Sequence, residues 1–150
     1  RLYFQLLDAW NRRSAGDFAA PFAVDGNLIG FDGSQVDGRE AIAAHIGQVF
    51  ADHQTGAYVG KIREVRLQPS EVAILRAVVG MVPPGQTDIN PAVNAIQSLV
   101  AAKQEGGWCI VLFQATPAQF HGRPELVQQL TDELRQLLQP ALHPAERPPD

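Results

Sequence analysis

The chain has 150 residues, 45% hydrophobic and 19% charged, with a formal net charge of -4. That length suits one domain with a sizeable core, and the acidic balance lacks the basic stripe of a nucleic-acid binder. A single cysteine, Cys109, excludes an internal disulfide and a cysteine-rich metal centre.

No apolar run reaches the roughly 18 residues a membrane span needs, so no membrane partner is expected. No signal-peptide pattern opens the chain, which points to the cytoplasm, and a start at Arg1 rather than Met implies residues upstream.

Tyr3, Leu6, Leu7 and Trp10 recur at helical spacing and predict an amphipathic helix ending near Arg13. The adjacent cations Arg12 and Arg13 suit the negative end of a helix. Asp17 is a candidate N-cap for a short helix from Phe18 to Phe22. Asn27 to Phe31 reads as a strand turned at Asp32-Gly33, and Gln35-Val36 as a stub before Gly38. A helix is predicted from Arg39 to Asp52, with Ile42, Ile46, Val49 and Phe50 as its buried stripe.

Tyr58 to Leu67 and Val72 to Val82 read as strands, the second rich in β-branched residues. Pro83-Pro84-Gly85 stops it, and a polar loop runs to Pro91. Two further apolar runs, from Val93 to Lys103 and after Gly106-Gly107, form an antiparallel hairpin. Cys109 sits in its second strand, where a buried, inert thiol is expected. Pro124 and Glu125 open a last helix, with Leu126, Val127, Leu130, Leu134, Leu137 and Leu138 along one face. Exposed, those leucines would be sticky, so burial is expected. The order predicts an α+β fold with helices packed on a curved sheet. Residues 1–118 form the main domain, 119–139 hold the extra helix, and the proline-rich 140–150 form a disordered tail.

Five short segments occur in order: Leu7-Asp8-Ala9-Trp10-Asn11, Gly16-Asp17-Phe18, Phe22-Ala23-Val24-Asp25-Gly26, Gly38-Arg39-Glu40-Ala41-Ile42 and Gly107-Trp108-Cys109-Ile110-Val111. With them the chain resembles the nuclear transport factor 2-like superfamily, within it the SnoaL-like group, and most of all the SgcJ/EcaC-type proteins. The resemblance implies a cone: a curved, mainly antiparallel sheet with three N-terminal helices on its concave side, around a ligand pocket. It also implies a homodimer through the outer sheet face. The hairpin strands agree, because both alternating sets of side chains are mainly apolar and so both faces should be covered. Activity does not follow from the fold, which hosts dehydratases, cyclases, isomerases, hydrolases and non-catalytic association domains.

The carboxylate base, tyrosine and protonated acid of the ketosteroid isomerases fall near Gly30, near Ala9 or Trp10, and near Leu99, so none of the three is retained. Asp32 lies close to the first place but is first of all a turn residue. Alignment with the fold turns Ile74, Arg76, Val78, Gln97, Leu99, Leu112 and Gln114 inward, and Trp10 is available to line an apolar cavity.

Buried polar groups are informative because each costs about 1–3 kcal/mol when unpaired. Arg76 keeps its charge and would need an acidic partner or an anionic ligand. Gln97 and Gln114 would bond a ligand or each other. His45, one turn from Ile42 and Val49, is the candidate general base, or else a satisfied core residue. No histidine pair has metal-ligand spacing, and no Gly-rich turn for a dinucleotide follows a strand, so neither metal nor cofactor is expected. The expectation is a small-molecule-binding protein, or a cofactor-independent acid–base enzyme acting on a hydrophobic metabolite. The alternative is a homodimerising association domain without catalysis.

Overall fold

The computed structural model describes residues 1–138. The expected disordered tail and His143 lie outside the described residues. The helices are α1 (Leu2–Asn11), α2 (Ala15–Ala19), α3 (Arg39–Asp52) and α4 (Pro124–Arg135). The strands are β1 (Phe22–Ile29), β2 (Gln35–Asp37), β3 (Ala57–Gln68), β4 (Val72–Val82), β5 (Ala95–Gln104) and β6 (Gly107–Pro117), with a single 3-10 turn at Pro91–Val93. They form one sheet in the order β2-β1-β6-β5-β4-β3, antiparallel throughout except where β1 runs parallel to β6.

Two local readings change. Ser14, not Asp17, caps α2: its Oγ accepts the Asp17 N–H at 3.3 Å, so Asp17 lies inside the first turn. The first strand starts at Phe22, well before Asn27, because the Ile110 N–H donates to the Pro21 carbonyl and pins the chain to β6 there. Gly38 takes φ +97 at the entry to α3, a backbone shape that favours glycine. Arg13 leaves α1 and caps the last turn of α3, donating to the carbonyls of Phe50 and His53 while its guanidinium stacks over the Phe50 ring.

The concave face carries the main core. Tyr3, Leu6 and Leu7 of α1, Phe18 of α2, and Ile42 and Ile46 of α3 pack on Leu28, Leu75, Ala77, Leu99, Ile110 and Phe113 of the sheet. Each large side chain buried there contributes about 1.5–3 kcal/mol. Asn11 locks the end of α1 to β3, accepting the Tyr58 N–H at 2.7 Å and donating to the Tyr58 carbonyl at 3.1 Å.

Helix α4 lies on the opposite, outer face. Leu130 and Leu134 bury against Val78, Ile89 and Ala118, whereas Leu137 is exposed beyond the helix end. Asn94, buried beneath α4, donates to Thr131 Oγ1 at 2.9 Å. Ion pairs from Lys61 and Arg63 to Glu133, and from Arg135 to Asp88, hold the rim. Ile89 and Asp88 tie the loop after β4 under this helix, so that loop serves as its seat. Among the described residues no helix is long and apolar enough to cross a membrane.

Candidate ligand-binding site

Sheet pairing decides which side chains reach the concave face. Gln97 on β5 stands opposite Ala77 on β4 and Ala115 on β6, and Leu99 stands opposite Leu75 and Phe113. Partners across a ladder share a face, and a one-residue shift reverses it. Ala77, Gln97, Leu99, Phe113 and Ala115 therefore point to the helices. Ile74, Arg76, Val78, Leu112 and Gln114 point away.

The expectation that Arg76, Leu112 and Gln114 line the inner pocket is corrected by this register. Arg76 is exposed on the outer face and donates through Nε and Nη2 to Glu64 Oε1, at 3.1 and 2.6 Å. Gln114 stands opposite Ser98 there, one rung from Gln97 and on the other side of the sheet. Cys109 is half-buried, opposite Ala102 on the outer face, and is less enclosed than expected.

A cavity of about 280 Å³ lies between the helices and the sheet, and it brings together His45, Trp10 and Gln97. Its walls are chiefly Leu7, Phe18, Leu28, Ile46, Val49 and Phe113, with Phe31 and Asp32 from the turn after β1. Trp10 is fixed by its indole N–H, which donates to the Gly56 carbonyl at 3.0 Å, and by rings of Phe50 and Tyr58 with centroids 5.2 and 5.0 Å away. Leu99 is buried, yet it borders a separate hollow of about 510 Å³ beyond Tyr3, with Leu2, Leu75 and Trp108.

Gln97 is the polar centre of the inner cavity, and it is only 1% exposed. The Tyr3 hydroxyl donates to its Oε1 at 2.7 Å, which orients the amide. Among the described residues its Nε2 has no protein partner, so that N–H pair is free for a guest. Gly60 makes room for this contact: a Cβ there would stand 2.6 Å from the Tyr3 hydroxyl.

Tyr58, which sequence reasoning passed over as a strand residue, is the second polar group in the wall. Burial pushes its phenol up to about 12, so it remains a neutral donor at ordinary pH. Tyr3 is also raised, first by burial and then by the neighbouring Tyr58. The signal for Tyr58 was its place in the inward set Tyr58, Gly60, Ile62.

Asp32, in the turn after β1, and His45, on α3, both line the cavity. Asp32 Oδ1 accepts the Ser34 N–H at 2.9 Å, as its turn role predicted. That interaction with Ser34 is the main cause holding its carboxyl below the usual range, with His45 a smaller contributor. Asp32, His45 and Tyr58 are the titratable side chains of the cavity wall. The cavity can thus take an apolar body, offer donors at depth and present Asp32 and His45 in its wall. Among the described residues no cluster of three or more His, Cys, Asp or Glu side chains has metal-binding geometry.

No protein-family model matches the chain, and no curated protein matches it. Among solved structures, a domain of unknown function with a cystatin-like fold from Nostoc punctiforme is 30% identical over 92% of this chain and 93% of its own, with a TM-score of 0.76. An NTF-2 like protein of unknown function from Shewanella oneidensis is 17% identical, covering 77% of this chain and 93% of its own at a TM-score of 0.63. A structure described as a calcium/calmodulin-dependent protein kinase type II association domain, from Thiobacillus denitrificans, is 21% identical, covering 79% and 93% at a TM-score of 0.70. The last two likenesses carry the fold alone. With the α+β cone, the helices on its concave face and the close match to the Nostoc domain, the chain belongs to that domain's family, and its fold is that of nuclear transport factor 2-like proteins.

Proposed function

We propose that this protein binds a small, uncharged, mainly apolar organic molecule in the inner cavity. Its hydrogen-bond acceptor, such as a ketone oxygen, is held by the Gln97 amide. The observation that carries the reading is the buried Gln97 whose Oε1 is taken by Tyr3 and whose Nε2 has no protein partner. Gln97 opens on the cavity, so an apolar guest that covered its free N–H groups without an acceptor would forfeit about 1–3 kcal/mol, which a guest carrying an acceptor keeps. The volume is at the small end of ligand pockets, roughly 300–1,000 Å³. Proton transfer within the cavity, if the guest reacts there, falls to His45 as base, with Asp32 elsewhere in the same wall. A SnoaL-like, SgcJ/EcaC-type role in the cytoplasm is part of this reading.

The test uses Trp10 fluorescence in a Trp108→Phe background. A methyl naphthyl ketone should quench with about tenfold higher affinity than ethylnaphthalene, equivalent to ~1.4 kcal/mol. Gln97→Leu should abolish that preference while hydrocarbon binding persists. Equal affinities in the parent protein would overturn the reading.

A second reading is a homodimerising association domain, favoured by the outer face beside α4. There Ile96 is 39% exposed, and beyond the polar rung of Arg76, Ser98 and Gln114 lie half-buried Val100 and Leu112, a mixed surface suited to a second copy. Light scattering should give a dimer that Val100→Lys converts to monomer. A parent protein monomeric at all concentrations would remove this reading.

A further inference from the structure

Arg76, excluded from the inner cavity, lines a different one. A hollow of about 410 Å³ lies on the outer face between α4, along Leu126 to Glu133, and the sheet. Val78 and Ile96 form its floor, Leu126 and Phe120 its roof and side, and Arg63, Arg76 and the carboxylate of Glu133 its charged edge. The hollow exists because α4 is anchored by its second half. Leu130, Leu134 and Thr131 are seated on the sheet, while Leu126 near the helix start is only half-buried.

The electrostatics of this edge are one-sided. Lys61 and Arg63 share Glu133, and Arg66 and Arg76 share Glu64, so four cations meet two carboxylates. Arg63 Nε and Arg76 Nη1 have no hydrogen-bond partner among the described residues. Both guanidiniums are about half exposed, where an ion pair contributes ~0–1 kcal/mol, so exchanging or adding a carboxylate partner costs little. Guanidinium forks match planar carboxylates, and the apolar floor and roof match a hydrocarbon body.

We propose that this hollow is a second ligand site, separate from the inner cavity, that takes small amphipathic carboxylates. The carboxylate sits on Arg76 and the apolar body lies between Ile96, Val78 and Leu126. The site does not depend on the reading of the inner cavity.

The test is calorimetric titration with naphthoate and with naphthylmethanol, at low and at high salt. At low salt naphthoate should bind about tenfold more tightly than the alcohol, and high salt should erase most of that preference. Arg76→Gln, at an exposed position, should remove the preference with the circular dichroism spectrum unchanged. Leu126→Trp, which fills the hollow, should weaken both probes. The proposal is overturned by equal binding of acid and alcohol, by no binding, or by naphthoate affinity unchanged in Arg76→Gln. It is also overturned if Gln97→Leu, rather than Arg76→Gln, abolishes naphthoate binding, since that would put the probe in the inner cavity.

Discussion

Removing the Tyr3 hydroxyl probes the centre of the inner site without disturbing its shape. Tyr3 is fully buried, and its hydroxyl satisfies Gln97 Oε1 across 94 positions of chain, joining α1 to β5. Tyr3→Phe leaves the Gln97 oxygen without its donor, and should destabilise the protein by about 1–3 kcal/mol. Gln97→Leu leaves the Tyr3 hydroxyl orphaned instead, and should cost a similar amount. The double variant replaces both partners with apolar groups of similar shape, which is nearly neutral in favourable cases. Its cost should therefore fall short of the sum of the singles by about 2 kcal/mol or more, at the upper end of the coupling seen for residues in direct contact. Urea unfolding of the four proteins measures all three differences, with the denaturant slope checked for constancy. Additive single effects would refute the contact and with it the orientation assigned to the Gln97 amide.

Gly60→Ala puts a methyl 2.6 Å from the Tyr3 hydroxyl and 2.7 Å from Leu7 Cδ1, so urea unfolding should show a loss of about 1–3 kcal/mol, partly recovered in Tyr3→Phe. Tyr3 and Tyr58 are the chain's two tyrosines, and burial raises both phenols above the ordinary value of 10.0. The folded state holds these protons more tightly than the unfolded chain. The stability they contribute is therefore complete below about 10 and is lost as pH rises through the folded values, with Tyr58 near 12. Ultraviolet absorbance should show no tyrosinate in the native protein just above pH 10, and its appearance on adding denaturant; a native tyrosinate signal there contradicts the burial. On the outer face, Thr131→Val leaves the buried Asn94 amide without its acceptor, and should loosen α4 by about 1–3 kcal/mol, read as faster hydrogen exchange in Pro124–Arg135 than in the sheet.

The elements were legible because their periods are strong. The Arg39–Asp52 helix and the Val72–Val82 strand carry unambiguous patterns and lie where those patterns put them. What periodicity left open was the facing of the strands. On β4 and β6 both alternating sets are largely apolar, because α1–α3 cover one face and α4 part of the other. Burial alone could not choose between the sets, and alignment placed Arg76, Leu112 and Gln114 on the wrong side. The bulge between Ile110 and Leu112 breaks the frame further.

A discriminating signal was present in the polar members of each set. Ala73, Leu75, Ala77 and Val79 contain none, whereas the other set of β4 contains Arg76. Likewise Phe113 and Ala115 contain none, whereas Gln114 and Thr116 alternate with them. Gln97 is the exception on the inner side, a buried amide that takes its partner from α1 and leaves its N–H groups toward the cavity. Trp10, His45 and Gln97, singled out by residue type and place, all line the inner cavity. Tyr58 was missed because a tyrosine at a strand start reads as ordinary sheet packing.

The central claim is that the free side of the Gln97 amide meets the guest. Side-chain amide resonances observed by NMR during titration with the methyl naphthyl ketone report on it directly. Gln97 should show the largest shift among the glutamine and asparagine side chains, and Tyr3→Phe, which frees the amide to turn, should diminish it. A saturating titration that moves Trp10 but leaves the Gln97 amide in place would contradict the account.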